Sequence, residues 1–150
     1  VTRHSLRETG RRQRVLLAED NPVNQLLAVR LLEKHGYQVA TAADGRKALE
    51  LLKKEQFDVA LVDIQMPEMD GLELTAAVRA LERQSGAHLP IIAMTAHATK
   101  GDRERFLGAG MDGYIAKPIQ ASGLIEQIEK AMATNRGAGI AQEHEVKARD

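Results

Sequence analysis

The chain has 150 residues, enough for one domain with tails. Apolar residues make up 43%, charged residues 28%, and the net charge is zero, so whole-molecule attraction to nucleic acid or to an anionic membrane is not expected. The lack of tryptophan argues against a base-stacking platform, and the lack of cysteine excludes disulfides, thiol chemistry and cysteine-metal sites.

Arg3, Arg7, Arg11, Arg12 and Arg14 crowd the start of the chain without a helical or strand period. Residues 1–13 read as a solvated linker, with an electrostatic docking arm as the sharper alternative. The chain opens on Val1 rather than Met, and the expectation is a segment cut from a longer protein. Val15-Leu16-Leu17-Ala18 is a short apolar run, interrupted by Glu19-Asp20-Asn21-Pro22. Pro22 suits the first turn of a helix, with Asn21 or Asp20 as its cap. That helix reaches about His35 and stops at Gly36. A second strand is predicted over Tyr37–Thr41, and Asp44 caps a helix through Lys54. A third strand covers Phe57–Val62 and leads into the turn-rich Met66-Pro67-Glu68-Met69-Asp70-Gly71, where Asp70 reads as the cap of a helix to about Arg83. A fourth strand covers Pro90–Met94, a helix follows over Lys100–Leu107, and Tyr114-Ile115-Ala116 forms a short fifth strand. Leu124, Ile125, Ile128 and Met132 make the apolar stripe of a last helix. Residues 134–150, rich in glycine, alanine and charge, read as a C-terminal linker or tail, which leaves 14–133 as the folded domain.

Strands alternating with helices argue for βαβ units and a parallel sheet, and the strands at 15–18, 59–62 and 91–94 are apolar throughout, as strands covered on both faces must be. In such a sheet ligands bind at the carboxyl ends of the strands. Those ends carry Glu19 and Asp20, Asp63, Thr95, and Lys117 with Pro118. Three carboxylates brought together would repel one another unless a cation sits among them. Oxygen donors of this kind suit a hard ion such as Mg²⁺. Lys117 supplies a point positive charge and Thr95 a hydroxyl for a phosphoryl oxygen, and a carboxylate is a competent nucleophile for an aspartyl-phosphate.

The runs Val15–Asn21, Val62–Gly71, Met94-Thr95-Ala96 and Lys117-Pro118 resemble the signature of response-regulator receiver domains over about residues 14 to 133. Asn21-Pro22-Val23-Asn24-Gln25, the Met66–Gly71 loop and Thr95-Ala96-His97-Ala98 are most similar to the receivers of hybrid histidine kinases. The resemblance implies a flavodoxin-like, doubly wound sheet of five parallel strands, order 2-1-3-4-5, with five helices. It implies Asp63 as phosphoryl acceptor, with Lys117 and Thr95 as its aids. Asp20, Asp63 and the backbone carbonyl of Gln65 would hold Mg²⁺, with Glu19 acting largely through water. The Lys117–Pro118 peptide would be cis, Tyr114 would be a switch aromatic coupled to Thr95, and the fourth helix, fifth strand and fifth helix would form the output face. The side chains of Gln65 and His97 would tune the lifetime of the phosphoryl group. The partner would be a histidine kinase dimerisation domain or a histidine phosphotransfer domain, with no direct nucleic acid or membrane contact and a cytoplasmic location. The chain alone would not be an enzyme.

The first helix carries apolar residues nearly all round, and one side of it should therefore be covered by a partner. Leu27, Ala28, Pro118 and Ile119 are the candidates for that patch. Three rival functions stand beside this reading. A nucleotide or flavin binder would need a glycine-rich loop after the first strand, where this chain is acidic. A metal-dependent phosphatase would need a general acid near Asp63, which Gln65 cannot be. An unphosphorylated interaction module stays open to a labelling test.

Overall fold

The computed structural model describes residues 12–134. Nearly all of the expected leading linker and C-terminal tail lie outside the described residues. Five strands, β1 (Arg14–Ala18), β2 (Gln38–Ala42), β3 (Val59–Asp63), β4 (Ile91–Thr95) and β5 (Gly113–Ala116), pair in parallel in the order β2-β1-β3-β4-β5. Between and after them run helices α1 (Pro22–Lys34), α2 (Gly45–Lys54), α3 (Gly71–Ser85), α4 (Lys100–Gly108) and α5 (121–134). The expected doubly wound sheet and its strand order are therefore found. β2 begins one residue later than the apolar pattern predicts. Tyr37 is drawn instead into the end of α1, where its N–H donates to the Leu32 carbonyl, and its ring is buried in the core.

The strands are apolar on both faces because each face has its own helices. Leu17, Leu61, Ile92 and Met94 pack toward α1 and α5 with Leu32, Leu124 and Ile128. The intervening Leu16, Ala60, Val62, Ile91 and Ala93 pack toward α2, α3 and α4 with Ala48, Leu74 and Phe106. The period-2 alternation of strand side chains thus divides one sheet into two dry layers.

The caps follow the sequence. Asn21 is the cap of α1, accepting from the Val23 and Asn24 N–H groups, and Asp44 accepts from Lys47 N–H. Asp70 and Glu73 form a reciprocal capping box at α3, and Gly36 ends α1 at φ 90°. A second box, Thr99 with Asp102, starts α4.

Two glycines let the turn after β3 sit tightly. A Cβ on Gly45 would meet the Met69 carbonyl at 2.1 Å, and one on Gly71 would meet the Asp63 carbonyl at 2.6 Å. Gly71→Ala is therefore expected to cost about 1–3 kcal/mol in urea unfolding and to shift the amide resonances of Asp63 and Ile64. An unchanged midpoint with unchanged resonances would show that the turn yields freely.

Candidate functional site

Parallel register brings the polar residues to one edge. Ala18 stands opposite Val62 and Thr95 opposite Ala116, so the next steps along the chain set Glu19 beside Asp63 and Lys117 just past Thr95. Glu19, Asp20 and Asp63 each offer a carboxylate oxygen, and these oxygens lie within 4.8 Å of one another. With Gln65, Thr95 and Lys117 they line an open cleft of about 760 Å³. Glu19 and Asp63 are buried and Asp20 is exposed at the mouth.

Lys117 reaches across the cluster. Its Nζ donates to Asp63 Oδ2 at 2.9 Å and lies 3.1 Å from Glu19 Oε1. Asp63 Oδ1 accepts from Gln65 N–H at 3.2 Å, and Glu19 Oε2 accepts from Asn21 N–H at 3.0 Å. Gln25 Nε2 donates to the Glu19 carbonyl at 2.7 Å and so ties α1 to the acidic turn, a contact that no sequence signal announced. Glu19 Oε1 is buried and, despite the nearby ammonium, has no aligned hydrogen bond among the described residues. A buried, under-satisfied carboxylate oxygen facing two further carboxylates is the setting that a small hard cation fits.

Burial pushes the Glu19 carboxyl above its ordinary 4.5; the Asn21 N–H and Lys117 pull it down, and the Asp63 charge pushes it up. Burial alone would lower Lys117, but its hydrogen bond to Asp63, the Asp63 charge and Glu19 outweigh that, and its pKa stands above the ordinary 10.5. Lys117 thus stabilises the fold in its charged form, an effect present below 10.5 and lost as pH rises through the folded value. Glu19, also raised, has the same sign of pH dependence at a lower window, although there it is the neutral form that the fold favours. From 4.5 upward the folded state keeps a proton that the unfolded chain has given up, so metal-free stability falls as pH rises through that window. In chelator, Glu19→Gln is expected to remove this fall, read as the difference between native and variant melting temperatures across the window. Parallel profiles would mean that Glu19 ionises as freely in the fold as outside it.

Thr95 is buried, and its hydroxyl is committed to the following loop. Thr95 Oγ1 donates to the His97 carbonyl at 2.7 Å and accepts from His97 N–H at 3.0 Å. The His97 ring is exposed. Tyr114 is half-buried, and Arg103 Nη1 donates to its hydroxyl at 3.0 Å. The Lys117–Pro118 peptide is cis, as expected.

The docking patch needs a correction. Ala28 is fully buried in the layer between α1 and the sheet, one turn before buried Leu32, and cannot contribute to an exposed surface. The outer strip of α1 consists instead of Val23, Leu26 and Leu27, exposed by 74%, 51% and 44%. Pro118 is exposed, while Ile119 is half-buried against the core on the α1 side. Among the described residues, no helix is long and apolar enough to cross a membrane.

The sequence pattern of the response regulator receiver domain matches residues 15–129. Hybrid signal transduction histidine kinase I of Dictyostelium discoideum is 45% identical over 141 residues, covering 88% of this chain and 8% of that protein. Across six matching histidine kinases the chain spans only 6% to 14% of their length. The receiver domain of the sensor histidine kinase PA1611 from Pseudomonas aeruginosa, solved with magnesium coordinated in its active site cleft, superposes with a TM-score of 0.74 at 39% identity, covering 82% of this chain and 99% of that one. The receiver of the Saccharomyces cerevisiae regulator Ssk1, crystallised with the histidine phosphotransfer protein Ypd1, gives a TM-score of 0.77 at 28% identity over 81% of this chain and 90% of that one.

Proposed function

The chain belongs to the response regulator receiver family, and on that premise we propose that Asp63 accepts a phosphoryl group from a phosphohistidine. One observation carries this reading: a buried carboxylate at the end of β3, held at 2.9 Å by Lys117 and clustered with two further carboxylates. In the step, an Asp63 oxygen bonds to phosphorus while the phosphorus–nitrogen bond to the donor imidazole breaks, and that electron pair returns to the ring nitrogen. Lys117 then finds a phosphoryl oxygen in place of its carboxylate partner.

Glu19, Asp20, Asp63 and the Gln65 carbonyl are the proposed holders of Mg²⁺, with Glu19 acting largely through water. The ion, when bound, neutralises charge gathered on the transferring group. Gln65 N–H orients the acceptor by holding Asp63 Oδ1. Thr95 releases the His97 carbonyl and turns its hydroxyl to the new phosphoryl group, which frees the loop into α4 and shifts a pre-existing equilibrium. Tyr114 follows on the same side of the sheet. The side chains of Gln65 and His97, both exposed at the cleft, set how easily water reaches the acyl phosphate.

The donor is a histidine phosphotransfer domain or the dimerisation domain of a histidine kinase, and the apolar strip of α1 with Leu27, Pro118 and Ile119 is its docking surface. The parent is a hybrid kinase, the folded unit runs over 14–133, and the segment works in the cytoplasm. By itself it transmits a signal and turns over no outside substrate. The family, the PA1611 receiver with magnesium and the Ssk1–Ypd1 pair support these readings. Incubating the full chain with acetyl phosphate should give a single phosphoryl adduct by intact-mass spectrometry, present with Mg²⁺ and absent in chelator. No adduct, while a control receiver labels normally, would leave an interaction module as the function.

A further inference from the structure

Tyr114 and Thr95 share one face of the sheet. Ala93 stands directly opposite Tyr114, and Thr95 follows Ala93 by two residues, so all three side chains project toward α4. Ala93 presents only a methyl group, and nothing on the strand itself prevents the tyrosine from lying closer to Thr95. What holds it lies on α4. Arg103 donates to the Tyr114 hydroxyl at 3.0 Å, and its guanidinium carbon stands 5.7 Å from the ring centroid. One arginine thus grips the tyrosine at its polar tip and against its face, at the protein surface. Among the described residues the Arg103 side chain enters no salt bridge that would compete with this contact.

We propose that Arg103 is a positioning residue that latches Tyr114 in its outward orientation and thereby sets the share of molecules in the phosphoryl-accepting conformation. The latch favours the resting arrangement alone, because a tyrosine turned inward toward Thr95 draws its hydroxyl away from the exposed Arg103 guanidinium. A contact made in one of two states shifts their balance by its full strength. For an exposed cation–π pair with one hydrogen bond, that is about a two- to fivefold change in the population ratio. Lysine keeps the charge but loses the planar fork and the stacking, and restores only part of the effect. The regulatory half of the proposal rests on the reading of Asp63 as acceptor.

The chain has two tyrosines, Tyr37 and Tyr114, so 3-fluorotyrosine gives two ¹⁹F resonances, one buried in the core and one at the latch. Beryllium trifluoride with Mg²⁺ serves as the phosphoryl mimic and fixes the shifted position of the Tyr114 signal. In resting Arg103→Ala, the Tyr114 resonance should move toward that position while Tyr37 stays in place and reports an intact fold. The rate of labelling by acetyl phosphate should rise about two- to fivefold. Arg103→Lys should fall between native and Arg103→Ala in both readouts. A Tyr114 signal that stays at its native position in Arg103→Ala, or that moves with no change in labelling rate, overturns the proposal while native labelling stands. A native chain that takes neither label nor mimic overturns the acceptor reading and the regulatory claim with it.

Discussion

Asp63→Asn is expected to carry no phosphoryl adduct after incubation with acetyl phosphate and Mg²⁺ that labels the native chain. The amide has the size and planarity of the carboxylate but no anionic oxygen to bond to phosphorus. Its one carbonyl oxygen can keep either the Gln65 N–H or the Lys117 ammonium, which now share Asp63 between its two oxygens. One hydrogen bond is lost, and the repulsion of Asp63 by Glu19 and Asp20 is relieved. These oppose each other, so unfolding in urea should differ from native by only about 1–2 kcal/mol. Chemistry and folding are thereby separated in one variant. An adduct that persists would move the acceptor to another carboxylate, with Asp20 the first to test. Lys117→Met offers a graded comparison. It keeps the acceptor and removes the one cation that touches it, and labelling should slow by about 10²–10³-fold rather than cease.

How much of this could be read from residue types alone depended on distance along the chain. The alternation of strands and helices was legible because each element announces itself within a dozen residues, through the run Val59–Val62 or the cap Asp44. The strand-end cluster was legible for the same reason. Once the sheet is parallel, every residue just past a strand lands at one edge, and Glu19, Asp20, Asp63, Thr95 and Lys117 need no further instruction to meet. The direction of the α1 surface was harder. Apolar residues nearly encircle that helix, so the pattern alone could not choose its buried side. The choice falls to Ala28 and Leu32, which face Leu17 and Leu61 across a thin layer, and it leaves Val23 and Leu26 outside. A small residue, Ala28, sits fully inside there while the larger Val23 and Leu26 stay out. Size matching across a layer is a tertiary quantity that a helical wheel does not contain.

Contacts set by the course of a loop or by how two elements pack left no trace in the sequence. The Thr95 hydroxyl is held by a carbonyl two residues away, but which of its possible partners wins depends on the course of the loop into α4. The Arg103–Tyr114 pair joins a helix to the following strand. The densest such contact involves Arg79, whose position on α3 looks from the sequence like an ordinary solvated arginine.

Arg79 is where the largest loss of stability is expected. Its side chain is only 16% exposed, and its guanidinium satisfies four groups from three segments. Nε and Nη2 donate to the Gly110 carbonyl at 3.0 and 2.8 Å, and Nη1 donates to the Leu89 carbonyl at 2.9 Å. The same fork meets Glu82 Oε1 at 2.7 Å and Asp112 Oδ2 at 2.9 Å. Each carboxylate is in turn committed. Glu82 accepts from Leu89 N–H, and Asp112 accepts from Ile91 N–H and pairs with His88. The arginine therefore ties the last turns of α3 to the starts of β4 and β5. Arg79→Met keeps the packed stem and removes all the donors, leaving two backbone carbonyls and two carboxylates short of partners. Water reaches part of this network, so the cost falls below the full sum of unmade bonds, and about 3 kcal/mol is the expected loss in urea unfolding. Arg79→Lys should recover less than half, because one ammonium cannot span groups that a planar fork reaches together. The site lies at the other ends of these strands, a full strand length of about 16 Å away. Well below the melting temperature, the variant should accordingly label with acetyl phosphate within about twofold of the native rate. A loss under about 1 kcal/mol would show that the four acceptors find water as readily as arginine. A collapse of labelling in a variant that is still folded would show that this end of the sheet is coupled to Asp63.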